Sequence, residues 1–327
     1  MFGCCKVQPG LEAEEPGATR PDSKLKNMAK VITVFGATGT QGGGVANALL
    51  QDPDFKVRAV TRNASSAKAK ALQERGAELV EASYDDPGSL ERAMQGAYGT
   101  FVVTQINIEH ADFDQVEIRH GKAAADAAKA AGVQHVVFSS QDAVKKTMGF
   151  PCLEFDSKAE IEAYMRSIEL PVTFVKFPAY YDNYLAGLLI TKMEDGTYEI
   201  GYPLEGAAMD GISTVDAGFA IMTIFKNWAQ WIRRTVGFSA GKLTAQQHAD
   251  IFSKHLAPKV FKPTEMTSDA FSQLPFPGAQ HLGDMFKYYR VGNPDRSEEL
   301  TRQLYPGTRG LDQWMAENKE TLLNALS

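Results

Sequence analysis

The sequence predicts an α/β protein: a doubly wound parallel Rossmann sheet followed by a smaller mixed α/β C-terminal lobe. Three observations predict it. From residue 30 short β-branched runs alternate with stretches of helical period, the pattern of parallel strands joined by crossover helices. The first apolar run, Val31 to Phe35, leads directly into a glycine-rich turn, GATGTQGG at residues 36–43, and then into a helical segment. After Phe177 the alternation fails and aromatic- and glycine-rich stretches take over, such as PAYYDNYLAGLL and DGTYEIGYPLEGAAMDG.

Residues 1–29 mix Pro, Gly and charge without a period, as a disordered leader does, and Met28 offers an alternative start. Cys4 and Cys5 raise palmitoylation as a role, but Gly3 is not in the second position that myristoylation needs, and a plain flexible tail is preferred. Strands are expected at Lys30 to Phe35, Lys56 to Thr61, Glu78 to Glu81, Gly99 to Thr104, Gln134 to Ser139 and Val172 to Phe177. Helices are expected at 41–51, 64–75, 87–95, 113–131 and 154–167, with Gly76, Gly96 and Gly132 where C-terminal caps fall. Right-handed crossovers then give a Rossmann domain over 30–177. The lobe, 178–327, is expected to carry helices near 214–230 and 244–256, the segment Phe261 to Asn293 and a last helix around Trp314, with some of it packing back on the Rossmann domain.

The composition narrows the function classes. With 327 residues and 44% hydrophobic content the chain can bury a sizeable core, enough for one large unit and a smaller one. A formal net charge of -6 gives no polybasic face, which argues against direct nucleic-acid binding. Three cysteines, Cys4, Cys5 and Cys152, form neither a disulfide framework nor a zinc pattern, so no metal is expected and a reducing compartment fits. There is no run of eighteen apolar residues to span a bilayer and no secretory signal, so the expected location is cytoplasmic.

Gly36, Gly39 and Gly42 fill a GxxGxxG spacing between a strand and a helix, where missing Cβ atoms let the backbone approach a pyrophosphate. The end of the second strand separates NAD from NADP, because a carboxylate there binds the ribose 2′-hydroxyl and repels a 2′-phosphate. This chain has Thr61-Arg62-Asn63 there, with Ser65, Ser66 and Lys68 behind, so NADP(H) is the expected cofactor. The alternative for Arg62 is a solvated loop arginine. Asp85 and Asp86 follow the third strand on the adenine side, and Thr104 and Gln105 follow the fourth on the nicotinamide side; each is equally readable as an ordinary loop residue.

Short-chain dehydrogenases use Tyr-x-x-x-Lys, whose lysine lowers the tyrosine pKa for proton exchange with substrate. None of the 11 tyrosines here has Lys four positions later. After the fifth strand the sequence reads Glu154-Phe155-Asp156-Ser157-Lys158, so the lysine is kept and Glu154 replaces the tyrosine. Lys158 is then either a ribose ligand or a surface lysine paired with Glu154 or Glu162. His110, His120 and His135 have no triad spacing, Asp156, Glu160 and Glu162 read as a solvated face, and Cys152 reads as an idle thiol in a loop after Pro151.

From about residue 30 onward the chain resembles the NmrA-like proteins, atypical relatives of the short-chain dehydrogenases, and among them the animal HSCARG-type NADPH sensors. The stretches that carry the resemblance are VFGATGTQGG, FKVRAVTRN, GAYGTFVVT, FDSKAEIEAY, PAYYDN, AAMDGIS and FPGAQHLGDMFKYYR. The resemblance implies cofactor contacts from Gly36, Ala37, Thr38, Gly39, Thr40 and Gln41, from Arg62, Asn63, Ala64, Ser65 and Ser66, from Thr104, Gln105, Arg119 and Lys158, and from Tyr180, Tyr181, Asp182 and Asn183. The family's basic residue at the Ser66 position is absent, with Lys68 available to compensate. It also implies a homodimer in equilibrium with monomer, responding to the NADPH/NADP balance. Implied partners are proteins: argininosuccinate synthase and inflammatory signalling components in animals, a GATA-type transcription factor in fungal relatives. Three functions follow: an NADP(H)-responsive regulator, cytoplasmic with nuclear entry; a quinone or carbonyl reductase using Lys158; and a scaffold with a structural nucleotide. The missing tyrosine favours the first and leaves catalysis undecided.

Overall fold

A computed structural model describes residues 29–108 and 110–326. Cys4, Cys5, Met28 and all but the last residue of the expected leader lie outside the described residues. The first half alternates strand and helix: β1 (Lys30–Val34), α1 (Thr40–Leu49), β2 (Phe55–Thr61), α2 (Ala67–Glu74), β3 (Glu78–Glu81), α3 (Pro87–Met94), β4 (Gly99–Val102), α4 (Phe113–Ala130), β5 (His135–Ser140), α5 (Val144–Met148), α6 (Leu153–Ser167) and β6 (Val172–Lys176). Then come β7 (Ala179–Tyr180), a 3-10 helix (Tyr181–Ala186), β8 (Ile190–Lys192), β9 (Tyr198–Ile200), β10 (Ala208–Ile212), α7 (Thr214–Lys226), α8 (Trp228–Trp231) and β11 (Thr235–Gly237). The chain finishes with β12 (Lys242–Thr244), α9 (Ala245–His255), β13 (Phe261–Pro263), α10 (Ser268–Phe271), α11 (Ala279–Val291), α12 (Glu298–Leu304) and α13 (Leu311–Ala325).

The central sheet is parallel, in the order β11-β6-β5-β4-β1-β2-β3. Helices cover both faces, which is why β4 and β5 are buried at every residue. The strand order reverses between β1 and β4, and in such sheets ligands lie across the carboxyl ends at that switch point. Two three-stranded sheets, β12-β10-β7 and β13-β9-β8, build the smaller part.

Segments after Phe177 also complete the large sheet. β11 joins β6 with Thr235 opposite Phe174. Helix α7 crosses α1 backbone to backbone: a Cβ on Gly44 would meet the Thr214 carbonyl oxygen at 2.2 Å, and one on Gly218 the Gly44 oxygen at 2.3 Å. One continuous apolar cluster runs from Ile32 and Val137 in the sheet to Tyr184 and Trp314 beyond it. A second cluster, including Phe35, Phe138 and Ile161, fills the opposite face.

Three expected elements have different ends, each for a local reason. Helix α2 starts at Ala67 rather than 64, because the Asn63 side chain accepts from the Ser65 amide (2.9 Å) and Ser66 caps the helix from the Ala69 amide. Strand β4 stops at Val102, which frees Thr104 to turn its hydroxyl toward α4. The helix expected over 214–230 breaks at Asn227, whose side-chain amide donates to the Thr223 carbonyl, leaving α8 as one separate turn.

Candidate functional site

The glycine loop sits at the carboxyl end of β1. Gly36 has φ +63, and the turn closes with the Gly39 amide donating to the Gly36 carbonyl at 2.8 Å. Gly42 packs beneath it, where a Cβ would stand 2.4 Å from the Gly36 oxygen. α2 and α3 start with side-chain caps from Ser66 and Asp86, whereas α1 has no side-chain cap and no acidic residue in its first turn. Its first amides are therefore available to an anion at the strand ends.

A cavity of about 390 Å³ opens beside this loop. Gly36, Thr38, Arg62, Asn63, Ser66, Asp85 and Gln105, all expected at the site, line it together with Lys68. Among the described residues Arg62 is exposed and has no ion-pair partner, so its guanidinium is free for a phosphate. A carboxylate from β3 also reaches the Arg62 turn: Glu81 accepts from the Ala64 amide at 2.9 Å and does not line the cavity. Among the lining residues that spacing does not point to, two rings matter most, Tyr84 and His120. His120 stacks on Tyr84 with centroids 5.6 Å apart and bonds Asp85 at 2.9 Å. Tyr84 donates to the Val103 carbonyl, fixing an aromatic wall of the kind an adenine base packs against. The His120 ring holds the exposed Asp85 carboxyl below its ordinary pKa.

A shallower cleft of about 400 Å³ lies on the outer side of the loop, lined by Ala37, Thr38, Gly39, Thr40, Asp182 and Lys68. The remaining expected residues divide. Gln41 donates its side-chain amide to the Tyr180 hydroxyl, tying the glycine loop to the segment after β6. Asp182 accepts from the Thr214 amide at 2.7 Å, steadying the start of α7. Tyr181 is buried against Trp314, and Asn183 is half-buried in the 3-10 helix. Asp86 caps α3, Ser65 sits inside the Asn63 turn, and Arg119 is exposed on α4; none of the three lines the cavity.

The β4/β5 side of the switch point is closed and charged. Lys158 is not paired with Glu154 or Glu162. Its ammonium meets the Glu117 carboxylate of α4 and donates to the Thr104 hydroxyl at 3.0 Å. Glu117 is fully buried and also receives the hydroxyls of Thr104 and Ser157. Glu162 instead takes Arg166 and Ser140, and Asp156 accepts the Lys145 and Cys152 amides, so the expected solvated face is partly structural.

Glu154 is not on the surface either: it is buried, one oxygen without a hydrogen-bond partner, and burial raises its pKa to about 7. Cys152 is buried rather than in an open loop, and burial pushes its thiol up. Phe155 packs edge-on against Tyr288 and Tyr289, so α11 roofs this end of α6. Beyond it, buried Arg296 and Lys176 both pair with Asp142 after β5. No group of three or more metal-ligating side chains occurs among the described residues, and none of their helices is long and apolar enough to cross a membrane.

Comparisons with known proteins fit this geometry. A NmrA-like family domain-containing protein of Dictyostelium discoideum is 32% identical over 71% of this chain and 80% of its own length. A NmrA-like family domain-containing oxidoreductase of Aspergillus flavus is 38% identical over 48% of each chain. Among solved structures, NmrA, a negative transcriptional regulator, superposes in complex with NADP at TM-score 0.74 with 23% identity, covering 90% of this chain and 98% of that one. In complex with NAD it superposes at TM-score 0.76 with 23% identity, covering 91% and 98%. The model of the NmrA-like family matches residues 28–322, and the chain belongs to that family.

Proposed function

We propose that this chain is an NADP(H)-binding regulatory protein whose cofactor state changes its self-association and its protein partners. The observation that carries the reading is the contrast at the strand ends. An open cavity with a free Arg62 stands on the adenosine side, while on the other side Lys158 is neutralised by Glu117 and Glu154 is buried. The cofactor would lie with its pyrophosphate over the α1 amides and its 2′-phosphate at Arg62 and Lys68. That NmrA is a negative transcriptional regulator solved with NADP and with NAD supports a binding role. By resemblance, partners are proteins such as argininosuccinate synthase, signalling components or a transcription factor, met in the cytoplasm or nucleus.

A second reading, an NADPH-dependent reductase of quinones or carbonyls, is favoured by the oxidoreductase names of fungal relatives and by a lysine kept at the ribose position. One set of measurements separates the two. Light scattering with NADPH and with NADP⁺ is expected to give different dimer fractions, and identical fractions and identical partner affinity would sink the regulator. Oxidation of NADPH by a quinone panel, well above blank and lost in Lys158→Ala, would establish the reductase.

A further inference from the structure

We propose that Glu117, by neutralising Lys158, balances the site between the two redox forms of the dinucleotide. The inference rests on the dinucleotide reading above and assigns a specificity role within the same site. In a doubly wound sheet the adenosine half lies over β1 to β3 and the other half over β4, β5 and the helix that follows. Lys158 on α6 and Thr104 after β4 are therefore beside the nicotinamide end. NADP⁺ and NADPH differ there by one unit of charge on the ring, so the local field decides between them.

A free lysine ammonium in a site only 12% exposed would repel the cationic ring and favour NADPH. Glu117 removes that bias. It is a carboxylate with no solvent exposure on the stripe of α4 that faces α6, and its two oxygens receive Lys158, Thr104 and Ser157. The two helices approach closely one turn further on, where a Cβ on Gly121 would stand 2.4 Å from the Ile161 side chain, and this brings Glu117 within reach of Lys158. Burying a carboxylate is costly unless it is paired, and this one is paired with Lys158, the lysine at the nicotinamide end. Around this end of α6 the acids Glu154, Asp156 and Asp284 of α11 gather, and the nearby cations Arg296 and Lys176 are themselves both paired with Asp142. Glu117 thus lets the site hold both redox forms, as a gauge of their ratio requires.

The test is equilibrium binding of NADPH, NADP⁺ and 2′,5′-ADP, which lacks the nicotinamide, to the full chain. In Glu117→Gln the preference for NADPH over NADP⁺ is expected to rise about tenfold, roughly one charge contact at partial exposure. Lys158→Met, which leaves the carboxylate alone, is expected to shift the preference toward NADP⁺. The double variant is expected to return to within about twofold of the wild type. Affinity for 2′,5′-ADP is expected to be unchanged in every variant, and it reports folding. An unchanged NADPH/NADP⁺ ratio in both single variants that still bind 2′,5′-ADP would overturn the role of Glu117. A wild type that binds neither dinucleotide would overturn the cofactor reading instead.

Discussion

The two halves of the candidate site solve different problems with similar residues. On the side proposed for the adenosine, Arg62 and Asp85 are exposed and line an open cavity of about 390 Å³. On the side proposed for the nicotinamide, Glu117 and Lys158 are locked together, with Glu154 buried a turn away. Exposed charges tolerate substitution and contribute modestly, whereas buried ones are costly to disturb and respond strongly to one added charge. The open half is suited to reading a phosphate, the closed half to reading the charge of a ring.

The largest effect should come from the element the halves share. Gly42→Ala places a Cβ 2.4 Å from the Gly36 oxygen and 2.5 Å from the Phe35 oxygen, both backbone, so the loop must open. Calorimetric titration should show affinity for NADPH and NADP⁺ falling together by about a hundredfold or more, roughly 3 kcal/mol. Loss of one form only would mean that the glycine loop does not seat the common pyrophosphate.

Second in size is a pH effect confined to the closed half. The Glu154 carboxyl is raised by burial from 4.5 to about 7, so between those values the folded chain holds a proton that the unfolded chain has released. Stability is therefore highest below the unfolded value, falls as pH rises through this window and levels off above about 7, a total of roughly 3 kcal/mol. His135 and His248, lowered to about 4 by burial, act in the opposite sense and lose stability as pH falls below 6.5. The difference between wild type and Glu154→Gln in urea unfolding isolates the carboxyl: the variant should gain on the wild type from pH 4.5 to 7. Parallel stability curves would refute the buried acid.

The same contrast explains what the sequence could reveal. β1 to β6 are short runs rich in β-branched and apolar residues, most of them buried apart from the edge strand β3, and their periods are local, so their positions are readable to within two or three residues. β7 to β13 are two to five residues long and, apart from the local β8/β9 pair, have partners far away in the chain, and the seventh strand of the main sheet, β11, carries no period at all. Within the site, Gly36 and Arg62 announce themselves by spacing. Glu117 does not, because its partner is 41 residues away. A signal did exist: Phe113, Glu117, Gly121 and Ala124 form one stripe of α4, and a glutamate on an apolar stripe must find a buried partner.

On the open side, Arg62→Asp replaces a free guanidinium with a carboxylate next to the expected 2′-phosphate. NADP(H) affinity should fall about tenfold more than NAD(H) affinity, near 1.4 kcal/mol, since an exposed contact is screened by solvent. Equal loss for both cofactors would take Arg62 out of the phosphate subsite and leave Lys68 as the cation that reads it.

The smallest effect is the sharpest test of whether the halves are independent. His120 lines the cavity, stacks on Tyr84 and bonds Asp85, so His120→Ala removes one side of the adenine wall and leaves the glycine loop and α6 untouched. Part of a stacking contact is worth about 0.5–1 kcal/mol, roughly a two- to fivefold loss of affinity. Because the adenine is identical in all four nicotinamide dinucleotides, that loss should be the same for NADPH, NADP⁺ and NAD⁺. His120 sits three residues after Glu117 on α4, nearly one turn along the same helix, which gives the result its force. If truncating His120 changed the NADPH/NADP⁺ ratio, α4 would be carrying a disturbance from the adenine wall to the Lys158 clasp, and the two halves would be one coupled device.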